Sequence, residues 1–453
     1  MAGPKRPWLA AGALLMLAGF SGCGNNYRPV VNPVNPTGPS PQPSVNVMVV
    51  SSLSPTTSGF ATILDFAGDS VMAKATIGNG PIGFTEDSTG STAYSIQADG
   101  TLNIIPVTTS LQTKLITSST LLPNVGPVNV LTTAGTLYIV EQTETPNSVA
   151  VLTGNPPSLK QEIPVDPGLV NIIGRNSTPR VYAISQLVPA HACSTPSAVA
   201  TLGEVSSIET ATQTISSKIP VGICPVFGLE SADNLRTYIL NRGSGTVTAI
   251  DSQKNVLDTQ SDGKNSVTTG GSITVGAGPV YGEFYDTASE LVTANYDGNS
   301  ISVINVTTDV FDNDSPQFGT VHTIPVGSHP TSVTVLQDGT RAYVANSGDG
   351  TISVVNMSTF TVEKTIPVSG TPRMVYSVFN SPFSKVYVVS PDSQNVTVIR
   401  TDTDSISALV QVQGNVVDVR PTRQNSSANT QNINSSYIPG SGVPCVVLAP
   451  SCP

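Results

Sequence analysis

The sequence predicts an all-β protein in which four-stranded antiparallel sheets are set radially around one closed ring. Three observations predict it: a composition poor in charge, a repeated unit along most of the chain, and two chain ends that complete one unit. The chain has 453 residues, of which 39 are Gly and 36 are Pro, and only 11% are charged, against about 25% in an average soluble domain. Hydrophobic residues make up 38%, so a sizeable core can be buried.

The clearest repeat covers residues 324–365, and the next begins at once with Ile366-Pro367-Val368. Each copy holds short segments rich in β-branched residues, separated by Gly, Asn, Asp or Ser, which is typical of antiparallel strands joined by tight turns. In this copy we predict four strands, at 332–335, 341–345, 351–355 and 361–368.

A proline marks the start of each unit along the chain. These anchors are Pro81, Pro127, Pro167, Pro225, Pro279, Pro330 and Pro372. Their spacing suits the blades of a β-propeller, which take about 40–50 residues each. A lone sheet of this kind leaves both faces open, whereas radial blades bury them against their neighbours. A linear stack would need capping repeats, which we do not find, so we expect a closed ring.

The two ends of the repeat region supply the argument for closure. Residues 59–81 align without gaps to 350–372, and 48–51 match the second strand at 387–390. The N-terminal end therefore contributes three strands, and residues 415–419 lie where the missing innermost strand belongs. We predict a β-propeller over residues 45–420 with one blade shared between the termini. The repeat count is eight blades, with seven as the alternative.

The segment Tyr343-Val344-Ala345-Asn346, followed by Ser347-Gly348-Asp349-Gly350, resembles the YVTN β-propeller repeat family, a WD40-like group. The resemblance extends over about residues 45–420 and is degenerate between 82 and 215. It implies a propeller placed outside the cytoplasm, usually with a binding or scaffold role. It carries no catalytic residues to this chain.

The N-terminus has the pattern of an export signal. Lys5 and Arg6 precede an apolar run over 8–20, which is too short for a membrane span and suits a signal peptide. The run ends in Phe20-Ser21-Gly22-Cys23, which resembles the lipobox of bacterial lipoproteins, although Phe20 departs from the usual Leu, Val or Ile. The resemblance implies a signal peptide over 1–22 and a lipid on Cys23. An ordinary signal peptide with a chance cysteine is the alternative.

Residues 23–44 are rich in proline, which favours an extended tether. A lipid on Cys23 would anchor the exported protein to a bacterial membrane. Gly24 stands where some bacteria use Asp for inner-membrane retention, so by analogy we favour the outer membrane. The protein would then lie in the periplasm or at the cell surface.

Four further cysteines, Cys193, Cys224, Cys445 and Cys452, predict two disulfides in an exported chain. Three pairings are possible, and sequence proximity favours Cys193–Cys224 and Cys445–Cys452. Zinc is disfavoured because no close C-x-x-C pair or neighbouring His is present. Residues 421–453 form a polar tail that ends in the segment bounded by the last two cysteines.

Candidate ligand-binding residues lie where innermost strands begin, around the mouth of the ring. These are Tyr281, Glu283, His329 and Arg373, with Arg420 as a further candidate. A mixed set of this kind could hold a small polar ligand, and the alternative is a rim of solvated side chains. Asp309, Asp312 and Asp314 offer oxygens for calcium. Their spacing lacks the D-x-D-x-D-G form, so a solvated turn is the expected role and no metal site is predicted.

The sequence contains no G-x-S-x-G, H-E-x-x-H, P-loop, C-x-x-C-H haem or dinucleotide-binding motif, and we predict no cofactor. With 30 acidic and 20 basic residues, nucleic-acid binding is disfavoured. We expect a lipid-anchored monomer that acts as a non-enzymatic binding or scaffolding module of the cell envelope, with a protein or a small polar ligand on its propeller face. One alternative is a propeller enzyme, lactonase-like or quinoprotein-dehydrogenase-like, with its site at the channel mouth. The other is a structural cell-surface protein.

Overall fold

The computed structural model describes residues 46–422, apart from 88, 108–116, 122–125, 143–146, 176–177, 190–191, 232, 259–272, 286–288, 309–313 and 379–383. In this part of the chain the fold is all-β, with eight antiparallel sheets and two 3-10 turns at Ala192–Ser194 and Pro196–Ala198. None of the described segments forms a helix with the length and apolar composition of a membrane span. The predictions for Cys23, Cys445, Cys452, Asp309 and Asp312, for the signal peptide and tether, and for the tail from 423 onward lie outside the described residues.

Each sheet is one blade, with its strands ordered from the axis of the ring outward. Blade 1 contains β33 (Asn415–Pro421), β1 (Val47–Ser52), β2 (Ser58–Asp65) and β3 (Ser70–Asn79). Blade 2 contains β4 (Pro81–Glu86), β5 (Thr92–Gln97), β6 (Thr101–Pro106) and β7 (Thr117–Thr120). Blade 3 contains β8 (Gly126–Thr133), β9 (Thr136–Gln142), β10 (Ser148–Thr153) and β11 (Ser158–Pro164). Blade 4 contains β12 (Leu169–Ile173), β13 (Arg180–Ser185), β14 (Leu202–Glu209) and β15 (Thr214–Ile223).

The other four blades follow the same order. Blade 5 contains β16 (Pro225–Glu230), β17 (Arg236–Asn241), β18 (Thr246–Asp251) and β19 (Val256–Leu257), with β20 (Ile273–Thr274) also paired to β18. Blade 6 contains β21 (Pro279–Tyr285), β22 (Glu290–Asn295), β23 (Ser300–Asn305) and β24 (Val321–Pro325). Blade 7 contains β25 (Pro330–Val335), β26 (Arg341–Asn346), β27 (Thr351–Asn356) and β28 (Thr361–Pro367). Blade 8 contains β29 (Met374–Val378), β30 (Lys385–Val389), β31 (Asn395–Arg400) and β32 (Ser405–Gln411).

The ring closes through blade 1, as predicted. Strand β33 pairs antiparallel with β1, and Val419 lies opposite Val49. The innermost strands of neighbouring blades contact each other all the way around, including β33 against β4. The prediction of eight blades with one shared between the two ends is confirmed.

Burial explains the residue pattern of each blade. The inner strands are covered on both faces by the neighbouring blades, so they carry near-continuous apolar runs such as Ala342 to Ala345, all fully buried. The outermost strand of the same blade, β28, is exposed over its first five residues, of which all but Val362 are polar or charged. Gly339 and Gly350, with φ values of +68° and +67°, make the turns on either side of β26.

Basic residues at the start of second strands form ion pairs that link neighbouring blades. Lys385, the first residue of β30, places its Nζ 2.7 Å from Asp69 Oδ1 in the turn of the next blade. Arg341, at the same position of β26, forms an ion pair with Asp404 of blade 8. The Asp404 carboxylate also accepts a hydrogen bond from the Tyr343 hydroxyl. Arg180 and Arg236 begin the second strands of their blades in the same way.

Candidate binding site at the axis of the ring

The innermost strands present polar side chains to the backbone edge of the next strand around the axis, which has no strand partner within its own sheet. In blade 7, Ser332 Oγ accepts a hydrogen bond from the backbone N–H of Val375 at 3.0 Å. Two residues on, Thr334 Oγ1 accepts one from the N–H of Ser377 at 3.1 Å. These side chains satisfy strand-edge groups that would otherwise be buried without partners. Many polar residues at the axis therefore stabilise the ring itself.

A group of charged and phenolic side chains lies on, or directly before, three of the innermost strands, β21, β29 and β33. We call it the axial cluster, and its members are Tyr281, Glu283, Arg373, Tyr376, Asp418 and Arg420. They come from blades 6, 8 and 1, and none is more than 8% exposed. Because charged side chains are rarely this buried without a structural or functional reason, the cluster is the candidate site.

Hydrogen bonds and ion pairs hold the charged members in place. Glu283 Oε1 accepts a hydrogen bond from the backbone N–H of Val335 at 3.3 Å, in the next blade. Arg420 Nη2 lies 3.2 Å from Asp418 Oδ2 on the same strand, and its guanidinium carbon lies 5.6 Å from the centre of the Phe84 ring. One end of the cluster is thus a charge pair packed on an aromatic ring of blade 2.

The members are close enough to shift each other's ionisation. Burial raises the pKa of Tyr281 and of Tyr376 above the usual value for a phenol, and the nearby Glu283 carboxylate raises both further. Burial lowers the pKa of Arg373 to about 10, an effect that Asp418 opposes. At neutral pH both phenols are therefore neutral donors, and Arg373 remains a cation.

The axial cluster brings together three of the four residues proposed for the mouth of the ring: Tyr281, Glu283 and Arg373, with Arg420 beside them. His329 lies elsewhere, exposed on the loop before β25, where its ring stacks on Tyr296 with 4.7 Å between ring centres. Sequence reasoning missed Tyr376 and Asp418. Strand alternation could have found them, since each aligns with a polar Thr334 or Ser332 on the inner strand of blade 7.

The predicted disulfide between Cys193 and Cys224 is present, with 5.7 Å between the two Cα atoms. It joins the long loop after β13 to Cys224, the residue that precedes β16. Both cysteines lie on the face of the ring where the chain enters the innermost strands. Beside it, Arg242 forms an ion pair with Asp297, whose Oδ2 lies 3.0 Å from the Arg242 Nε. The disulfide therefore ties the loop, at Cys193, to the start of blade 5.

Asp314, one of three residues considered for calcium, is instead an ion-pair partner of the buried Arg236. Among the described residues, no group of three or more His, Cys, Asp or Glu side chains is arranged to hold a metal ion.

No protein-family profile matches this sequence, and no characterised protein is similar enough in sequence to be identified as a relative. Solved structures do match. Dihydro-heme d1 dehydrogenase NirN, in complex with DHE, has a TM-score of 0.61 and 13% identity, and the match covers 86% of this chain and 77% of that chain. Apo AztD from Citrobacter koseri has a TM-score of 0.54 and 12% identity, with 83% of this chain and 97% of that chain covered. At such identities the similarity shows the fold alone, and this chain is an eight-bladed β-propeller.

Proposed function

We propose that this protein is a lipid-anchored, extracytoplasmic propeller that binds a small polar ligand at its axis and catalyses no reaction. The observation that carries the proposal is the axial cluster, in which the Tyr281 hydroxyl is buried and has no hydrogen-bond partner among the described residues. An unsatisfied buried polar group costs about 1–3 kcal/mol, and such groups are typical of places that a ligand or water completes.

The cluster's chemistry suggests the kind of ligand. Guanidinium groups such as those of Arg373 and Arg420 bind carboxylates, whereas the carboxylates of Glu283 and Asp418 accept hydrogen bonds from ammonium or hydroxyl groups. The ligand we propose therefore carries both an anionic group and hydrogen-bond donors, as a free amino acid or a sugar acid does. NirN, of which the fold match covers 77%, was solved in complex with the ligand DHE, and this supports ligand binding by the present chain.

We expect variants in the axial cluster to weaken binding selectively. Free amino acids, dicarboxylates and sugar acids would be screened by thermal shift on the purified protein, and the compounds that stabilise it would be titrated by calorimetry. Arg373→Met should raise Kd at least tenfold, because a charge-assisted hydrogen bond contributes about 1.5–3 kcal/mol. Tyr281→Phe should raise it less, by about threefold to tenfold, since it removes one neutral hydroxyl.

His329→Ala is the matched control, because this residue is exposed and stacks on Tyr296 rather than joining the cluster. Its Kd should stay within about twofold of the wild-type value. Equal weakening by all three variants, stabilisation by none of the compounds, or turnover of any compound would contradict the proposal.

The anchor is a separate prediction. Mass spectrometry of the protein from membranes should find an acylated Cys23 as the first residue. Cys23→Ala should abolish the acylation and shift the protein from the membrane to the soluble fraction. Cys445→Ala should leave both properties unchanged. A wild-type protein that begins at another residue, or carries no lipid, would refute the anchor without touching the ligand site.

A further inference from the structure

One buried carboxyl group beside the axial cluster has an oxygen without a partner. Glu86, the last residue of β4, is 3% exposed, and its Oε1 has no hydrogen-bond partner among the described residues. It alternates along β4 with Phe84, which belongs to the same apolar cluster as Met48 and Val50 of blade 1. Glu86 therefore faces the contact between blades 1 and 2, which we call the seam.

Glu86 shares its surroundings with the axial cluster. Arg420, a member of that cluster, lies over the ring of Phe84, two residues before Glu86 on the same strand. Glu86 also acts on Tyr376, another member: burial raises the pKa of that phenol, and Glu86 is one of the carboxyl groups that raise it further. The seam and the proposed ligand site therefore meet at Glu86.

A second buried oxygen without a partner faces the same seam. Asn46, just before β1, alternates with Met48 and so lies on the same side of its sheet. Its side-chain Oδ1 is buried and accepts no hydrogen bond from any described residue. Two acceptors that face one seam suit a group with several donors, and an ammonium group carries three whereas a hydroxyl carries one.

The same position in another blade shows what such a carboxyl group accepts. Glu230 ends β16 as Glu86 ends β4, five residues after the proline that begins each strand. The backbone N–H of Arg175 donates to its Oε2 at 2.8 Å, and the Thr178 hydroxyl donates to its Oε1 at 2.9 Å. Since no described residue donates to Glu86 Oε1, a donor from outside the protein is needed to complete it.

The charges around Glu86 favour a cationic donor. Burial raises the pKa of Glu86 well above its usual value, Arg420 opposes this effect, and Asp87 and Asp418 add to it. Glu86 therefore retains a proton at pH values where an ordinary carboxyl group has lost it. Arg420 is itself paired with Asp418, at 3.2 Å, so its charge is balanced. An ammonium group beside Glu86 would replace the proton, because it supplies both a positive charge and donors.

We propose that Glu86 binds the ammonium group of the axial ligand, which makes that ligand a free amino acid rather than a sugar acid. The proposal rests on the proposed function. Arg420, which packs on Phe84 next to Glu86 along the seam, is placed to take a carboxylate of the same molecule. Binding then releases the proton of Glu86 to the buffer.

Calorimetry on the purified protein tests this assignment. Each common L-amino acid that binds is compared with its deaminated analogue, in which hydrogen replaces the ammonium group. Glu86→Gln should raise the Kd of the amino acid about tenfold or more, because it removes the charge that faces the ammonium group. It should leave the Kd of the deaminated analogue within about twofold of the wild-type value.

Glu230→Gln is the matched control, because this equivalent carboxyl group already has donors within the protein. It should leave both Kd values within about twofold of those of the wild type. At pH 6, titrations in two buffers of different ionisation enthalpy should show about one proton released per amino acid bound by the wild type, and none by Glu86→Gln. The wild-type Kd should fall by up to about tenfold per pH unit as the pH rises from 6.

The outcomes separate this proposal from the proposed function. It is overturned if Glu86→Gln binds amino acids as tightly as the wild type, if the variant loses both compound classes equally, or if the wild type releases no proton. Binding of D-gluconate or another sugar acid, with no amino acid bound, would also overturn it but leave the proposed function standing. If neither class binds, the proposed function itself fails.

Discussion

Arg236→Met should lower the free energy of unfolding by about 3–5 kcal/mol, the usual cost of removing one partner from a buried ion pair. Arg236 is 2% exposed, and its Nη1 lies 3.2 Å from Asp258 Oδ2. The same group pairs with Asp314 of blade 6, and the guanidinium carbon lies 5.0 Å from the centre of the Phe318 ring. Methionine fills much of the volume but leaves two carboxylates buried without their cation.

Urea unfolding followed by far-ultraviolet circular dichroism would measure this loss. Because protonation removes the uncompensated charges, the penalty should shrink as the pH falls from 8 to 5, and Arg236→Met/Asp314→Asn should recover part of the stability. Arg400→Met is the control: its pair with Asp402 is 40% and 39% exposed, so solvent screens the pair and its loss should leave the free energy of unfolding almost unchanged. Equal effects of the two arginine variants would show that burial of Arg236 contributes nothing.

Cys193→Ser/Cys224→Ser should destabilise the protein by about 3–4 kcal/mol. The bridge closes a loop with a sequence separation of 31 residues, and cross-linking a loop of that size removes this much conformational freedom from the unfolded chain. Both cysteines are fully buried, so the serines also bring hydroxyl groups into a buried site. Denaturant unfolding of wild type and variant, each with and without reductant, would measure the difference.

The reductant makes the comparison specific. It should lower the stability of the wild-type protein towards that of the double variant, and it should change the stability of the double variant much less. A double variant as stable as the oxidised wild type would mean that the loop after β13 is held by other contacts, such as that of Arg242 Nη1 with the Cys193 carbonyl oxygen at 3.5 Å.

Much of the fold could be predicted because each blade repeats one local pattern. The strands expected at 341–345 and 351–355 correspond to β26 (Arg341–Asn346) and β27 (Thr351–Asn356). Closure was also predictable, since the residues around Val49 align with second strands and those around Val419 with first strands. These inferences need only short-range periodicity and the count of repeats.

The members of the axial cluster could be predicted less completely from the sequence. Glu283 and Arg420 lie far apart in sequence and affect the same phenol, Tyr376, only because the ring brings blades 6, 8 and 1 around one axis. His329 precedes its strand as Arg373 does, yet its backbone has a φ of +51° and its ring packs on Tyr296. Side-chain direction at a loop depends on such local backbone choices, which composition and spacing do not determine.

The ion pairs that link neighbouring blades were not predicted either, although the basic residues that form them are regularly placed in the sequence. Arg341 and Lys385 each stand two residues before a tyrosine, Tyr343 or Tyr387. Their partners lie in turns of the following blade, so their role depends on which blade comes next. A repeat viewed alone does not contain that information.

Because the first and last strands of the ring share one blade, the ring can close only after its last strand has been synthesised. Strand β1 is the first strand of the ring to be synthesised, whereas its inner neighbour β33, seven residues long, is the last. Until then β1 has one unpaired edge, and pairing across almost the whole chain is intrinsically slow. A chain that stops before residue 415 would lack β33, so its ring would stay open and the unpaired edge of β1 could pair with other chains. We therefore expect such truncated chains to aggregate.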